Sequence, residues 1–185
     1  MRAKILIIKM GRVKIQSFPF INIQINSIRT KCQPCHMLSY KRKHMGKYFT
    51  QSELIASTEA YKRKIDNTPG EEEKEHLDEL IELMDGIRSA WGSAIIVRSG
   101  YRCPELNEAI GGVKKSAHQT GYAVDCVPAN NKKKKFFEFC KEYLKDRDFD
   151  ELLFEKNNSG SIWIHIALKS IDGKQRRKIR TLEVK

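Results

Sequence analysis

The chain has 185 residues, enough for one domain with a sizeable core, and its net charge of +12 would ordinarily invite a nucleic-acid reading. The distribution of that charge excludes it: residues 1–44 hold ten Lys and Arg and no Asp or Glu, leaving 25 basic against 23 acidic side chains from residue 45 onward. No apolar run approaches the roughly 18 residues of a membrane span, and five irregularly spaced cysteines argue against a disulfide framework.

Residues 1–44 are rich in Lys, Ile, Asn and Arg. They read as a disordered basic extension, or as upstream sequence read through from a mis-assigned start codon; a membrane-surface arm is the other reading. Ile5-Leu-Ile-Ile8 is too short for a signal h-region, and Lys9 ends it. Cys32-Gln-Pro-Cys-His36 has the form of a c-type haem attachment motif, but that chemistry needs export and a second axial ligand. A zinc knuckle there would need more ligands than His44 provides. Met45-Gly-Lys-Tyr-Phe49 opens the domain proper, expected to run over 45–185.

Thr50 is placed as an N-cap with Glu53 three residues on, so a helix is predicted from there to about Lys64. Asn67-Thr-Pro-Gly70 is a turn. Glu71 to Trp91 follows as the longest helix, with Leu77, Leu80, Ile81, Met84, Ile87 and Trp91 on one stripe. Its opening Glu71-Glu72-Glu73 suits the positive end of the helix dipole. Gly92–Arg98 reads as a strand. Cys103–Ile110 is a short helix with Pro104 near its start and Gly111-Gly112 after its end. Residues 116–121 are loop and 122–127 strand. Lys132–Lys145 is a basic amphipathic helix that turns Phe136, Phe137, Cys140 and Leu144 inward. Strands are predicted over Phe149–Glu155 and Ser161–Leu168, joined by the turn Asn157–Gly160, and a basic tail with helical potential follows. Helices first, then a small, mostly antiparallel sheet with inserted helices, make the class α+β.

Chemistry concentrates in the second half. At period two, Ile162, Ile164, Ile166 and Leu168 share one strand face, and Trp163 and His165 share the other. Alternation alone leaves His165 either a surface histidine or a ligand. Asp125 stands in an apolar strand, where a carboxylate is costly unless it meets a cation; a salt bridge is the plainer reading. Cys126 points away from Asp125 and belongs to the core. His118, before the strand, is either an ordinary loop histidine or part of the same cluster. Gly121 and Ala123 between them are small, and glycine permits close approach of backbone to a ligand. Two histidines and a carboxylate match a catalytic zinc site, whose three protein ligands leave a fourth position open.

Five blocks in order resemble the zinc D-alanyl-D-alanine carboxypeptidase family, which includes phage endolysins. They are Tyr48-Phe-Thr-Gln-Ser-Glu-Leu54, Ser99-Gly-Tyr-Arg102, Ser116-x-His118-x-x-Gly121-x-Ala123-x-Asp125, Phe149-Asp-Glu-Leu-Leu-Phe-Glu155 and Trp163-Ile-His165. The resemblance covers about Met45 to Arg180. It implies that His118, Asp125 and His165 bind one zinc ion, that Arg102 sits near the substrate carboxylate or carbonyl, and that Ser116 bonds substrate. A surface ion pair for Arg102 and a loop cap for Ser116 are the plainer alternatives. Arg98 points toward the same general region.

A zinc hydrolase also needs a general base. Well-known members carry an acidic residue three positions before the last histidine, where this chain has Ile162. Glu155, across the hairpin turn, is the candidate, with Glu151 and Asp150 in reserve. The resemblance thus implies a zinc peptidase cutting peptidoglycan stem peptides next to a D-amino acid, as carboxypeptidase or endopeptidase. It would be a monomer, cytoplasmic until lysis or phage-delivered, with neither nucleic acid nor membrane insertion among its partners. The alternative is a catalytically inactive zinc-containing module that binds cell-wall peptide or a protein.

Overall fold

The computed structural model describes residues 5–9, 12–16 and 46–184. Ile5–Lys9 (β1) and Arg12–Gln16 (β2) pair antiparallel, in the first of the two units into which the chain divides. The remainder of the basic extension, with the Cys32–His36 motif and His44, lies outside the described residues.

The second unit opens with Gln51–Ile55 (α1) and Thr58–Arg63 (α2). One continuous helix was expected here. Two form because Ser57 caps a new start, its hydroxyl accepting the Ala60 N–H at 3.2 Å. The freed Leu54 carbonyl accepts the Tyr101 N–H at 2.8 Å. Thr50 caps α1 as expected, accepting the Glu53 N–H at 3.2 Å.

Gly100 makes that contact possible. A Cβ there would lie 2.2 Å from the Leu54 carbonyl oxygen, which is backbone and cannot swing aside. Gly100→Ala is therefore expected to destabilise the protein by about 3 kcal/mol, a fall in Tm of roughly 10 °C in thermal unfolding. An unchanged Tm would show that the two segments separate freely.

Glu71–Trp91 (α3) ends at Gly92 in the left-handed region, φ 70°. Its stripe of Leu77, Leu80, Ile81, Met84 and Ile87 is buried as expected. Ile95–Ser99 (β3), Pro104–Ala109 (α4), Ala123–Pro128 (β4), Lys133–Leu144 (α5), Glu151–Asn157 (β5) and Ile162–Ala167 (β6) follow. Cys103 caps α4 through its sulfur, which accepts the Leu106 N–H at 3.4 Å. Lys178–Val184 (β7) is a strand where helical potential was read: it pairs parallel with β5 along its whole length. Backbone pairing with an open sheet edge outweighs a weak local helix preference.

The sheet order is β3-β4-β6-β5-β7, antiparallel except for β5 and β7. Val124 and Cys126 of β4, Leu152 of β5, and Ile164 and Ile166 of β6 face the helices. They pack with the α3 stripe and with Phe136, Phe137, Cys140 and Leu144 of α5 in one core. Fully buried side chains each contribute roughly 1.5–3 kcal/mol relative to exposure, so this layer carries much of the fold's stability. It also anchors one face of the sheet, which fixes the other face as the site. Ile162, expected in the core, is half-buried: it lies on the helix side beside Phe154 and the lysines that open α5. Among the described residues no helix is long and apolar enough to cross a membrane.

Candidate metal centre

Register brings the chemistry together. Asp125 of β4 stands opposite His165 of β6, and His165 stands opposite Leu153 of β5. Glu155 stands opposite Trp163. Paired residues share a sheet face, so Asp125, His165, Trp163 and Glu155 all emerge away from the helical core. This side is a pocket of about 400 Å³, also lined by Arg102, Ser116 and His118.

His118 arrives from a short 3₁₀ turn, Ala117–Thr120, where a loop was expected. Ser116 caps that turn: its hydroxyl accepts the His118 N–H at 3.3 Å. Gly121 closes it at φ 77°. A Cβ on Gly121 would come 2.7 Å from the Glu73 carbonyl oxygen. The close approach that this glycine permits is thus to helix α3, not to a ligand as its position had suggested.

His118, Asp125 and His165 each offer one donor atom, and these atoms lie within 4.8 Å of one another. His118 Nε2 is 3.3 Å and His165 Nδ1 2.8 Å from the same Asp125 oxygen, Oδ1. His118 Nδ1 donates to the Gly100 carbonyl at 2.7 Å. That bond fixes the tautomer and leaves Nε2 facing the carboxylate, the arrangement by which an outer partner orients a metal-binding imidazole. Burial alone would raise the Asp125 carboxyl pKa, but His118 and His165 outweigh it and hold the group well below the usual carboxylate range. Burial lowers the His118 pKa. Burial also acts to lower that of His165, but its bond to Asp125 wins and raises it. The result is a partly buried carboxylate between two buried imidazoles, one held neutral by burial. Two nitrogens and one oxygen at this spacing fit a metal that takes four ligands and leaves one position open.

Arg102 reaches the pocket because its backbone N–H donates to the His118 carbonyl at 3.1 Å. Its side-chain Nε is buried with no hydrogen-bond partner among the described residues. Burial lowers its pKa against the pull of Asp125 and Glu155. A buried guanidinium N–H without an acceptor is costly and suits an anionic or carbonyl group brought by a ligand. Burial raises the Glu155 carboxyl above its ordinary value, against the opposing pull of His165. Asp150 and Glu151, the reserve candidates, also line the pocket but are engaged by Arg176. Asp150 takes a two-pronged contact from Arg176 at 2.6 Å for each oxygen, and Glu151 takes one at 3.3 Å. Arg98 lies elsewhere, in a hollow beside α1 and α2. Cys126 is fully buried in the core, as expected.

Sequence reasoning passed over two contributors. Asn67 was read only as part of a turn, yet its amide accepts the Cys103 N–H at 2.8 Å and donates to the Ile55 and Tyr101 carbonyls. It thereby fixes the segment that carries Arg102. Arg176 lay in a basic tail with no signal to mark it. An asparagine that is buried within a turn is the single cue that points to the first.

A comparison with curated proteins returns no match. The family model described as Peptidase M15 matches residues 47–167, well over half of the chain and all of the pocket's candidate ligands. The chain belongs to the Peptidase M15 family of zinc-dependent peptidases, the zinc D-alanyl-D-alanine carboxypeptidase type that its motifs resemble.

Proposed function

We propose that this protein is a zinc peptidase that hydrolyses a peptide bond of peptidoglycan stem peptides next to a D-amino acid. The observation that carries this reading is the company of the three-donor cluster. One pocket holds His118, Asp125 and His165 together with an arginine whose buried Nε has no hydrogen-bond partner among the described residues and a carboxyl whose pKa is raised.

His118 and His165 would hold zinc through Nε2 and Nδ1, and Asp125 through a carboxylate oxygen. When bound, zinc supplies Lewis acidity to the scissile carbonyl and acidifies water at neutral pH. Arg102 binds the substrate carboxylate or carbonyl with its forked donors. Glu155 takes the proton from the attacking water and returns it to the leaving amine. A carboxyl raised above its ordinary pKa is a stronger base, once ionised, than an exposed one. Ser116 has a structural duty already, as cap of the His118 turn; a second bond from its hydroxyl to substrate is compatible with its place in the pocket. The place of Glu155 in the same pocket as the three-donor cluster argues for turnover over passive binding.

Digestion of purified muropeptides, with the products weighed by mass spectrometry, tests the reading. Loss of a residue mass, or scission within the stem, beside a D-centre is expected. Intact peptides at full zinc occupancy would contradict catalysis and leave a binding module.

We further propose that residues 45–185 are the catalytic domain and that residues 1–44 are dispensable for it. Removing residues 1–44 is expected to leave muropeptide turnover intact and Tm unchanged within about a degree or two, since surface changes usually stay within ~0.5 kcal/mol. A large loss of stability would show that the extension packs on the domain.

A further inference from the structure

The strongest unassigned cluster lies behind the metal-binding turn, on α3. His76 Nδ1 donates to the Thr120 carbonyl at 2.8 Å. Its ring stacks on Tyr122, with centroids 3.9 Å apart and planes at 22°. Tyr122 is held from its other end by Lys169, whose ammonium donates to the phenol oxygen at 3.1 Å and to Glu79 at 2.7 Å. The backbone between is tied to the same helix, because Gly121 passes too close to the Glu73 carbonyl for any side chain. Thr120, Gly121 and Tyr122 lie within the spacer, Gln119 to Val124, between His118 and Asp125.

We propose that His76 is a positioning residue for the metal site: its N–H sets the His118 turn against α3 and so fixes the separation of His118 from Asp125. The inference rests on the reading of those residues as metal ligands. Its physical basis is that a ligand pair must be held close to its bound geometry before the ion arrives, or binding must first order it. A short turn with one glycine has little rigidity of its own. The Thr120 carbonyl is the last acceptor of the 3₁₀ turn, and no later residue of the turn can bond it. His76 supplies that bond from outside. The ring also presents Nε2 toward Glu72, 4.0 Å away, on the solvent side.

The test is zinc affinity of the folded full chain, measured by competition with a chromophoric chelator. His76→Phe keeps the aromatic stack and deletes the donor; it is expected to weaken zinc binding by about tenfold or more. His76→Asn loses the stack but places an amide N–H near the position of Nδ1, and should restore most of the affinity. Met84→Ala, a core truncation on the same helix, should lower Tm without changing zinc affinity. Should His76→Phe fail to fold, His76→Leu, near in shape to asparagine, takes its place in the comparison. Wild-type zinc affinity in the donor-free variant, or equal losses in the Asn and donor-free variants, would overturn the proposal. Failure of the wild-type protein itself to bind zinc would sink the metal reading, and this inference with it.

Discussion

Alanine at His118, Asp125 or His165 is expected to abolish stable zinc binding, from about one ion per chain to a trace, and peptidase activity with it. Each side chain supplies one of three donors, and no other described His, Cys, Asp or Glu joins their cluster. Removing one histidine leaves Asp125 with a single imidazole; removing Asp125 leaves two buried imidazoles without their anion. Stability gives a second readout. A ligand that binds only the folded state at a thousand times its Kd adds roughly 4 kcal/mol of apparent stability. Chelation should therefore lower the Tm of the wild-type protein and leave that of the three variants unmoved. A variant that keeps full zinc content, or that still loses stability on chelation, would remove its residue from the site.

Glu155→Gln is expected to keep zinc and substrate affinity while kcat falls by roughly 10²–10⁴, or about 3–5 kcal/mol in the barrier. The amide preserves shape and the pairing of position 155 with Trp163, so the loss isolates proton transfer. The pH profile supplies the sign. A base works only when ionised, and burial raises the Glu155 carboxyl above its ordinary 4.5. The rate should thus fall on acidification with a midpoint above 4.5, and the Gln variant should lack that limb. The result that moves the role elsewhere is unimpaired turnover in the variant. Glu151 is the next candidate, although Arg176 and Lys178 hold it at 3.3 and 3.6 Å.

The legible part of this protein was whatever depends on local periodicity. The α3 stripe, the inward face of α5 and the alternation around His165 follow from spacings of 3.6 and 2, and the structure keeps them. Glu155 was reachable for the same reason: the Asn157–Gly160 turn pairs β5 with β6, and register does the rest. The break at Ser57 was not, because nothing local to Ser57 shows that the distant Tyr101 N–H claims the Leu54 carbonyl. Nor was the strand character of Lys178–Val184, which arises from pairing with a β5 edge 27 residues earlier, beyond the reach of a local pattern. Asn67 and His76 act on backbone 34 and 44 residues away. Contacts across such separations leave no period in the sequence. Gly121 shows the converse: its smallness was visible, but not which neighbour required it.

The central claim is that one zinc ion is held by His118, Asp125 and His165. X-ray absorption at the zinc edge of the full chain tests it most directly, because it counts the donor types. Two imidazole nitrogens at about 2.0–2.1 Å and a carboxylate oxygen at about 2.0–2.2 Å are predicted, with no sulfur in the shell. A sulfur shell near 2.3 Å would place the metal on cysteines instead, as at Cys32 and Cys35, and would contradict the account.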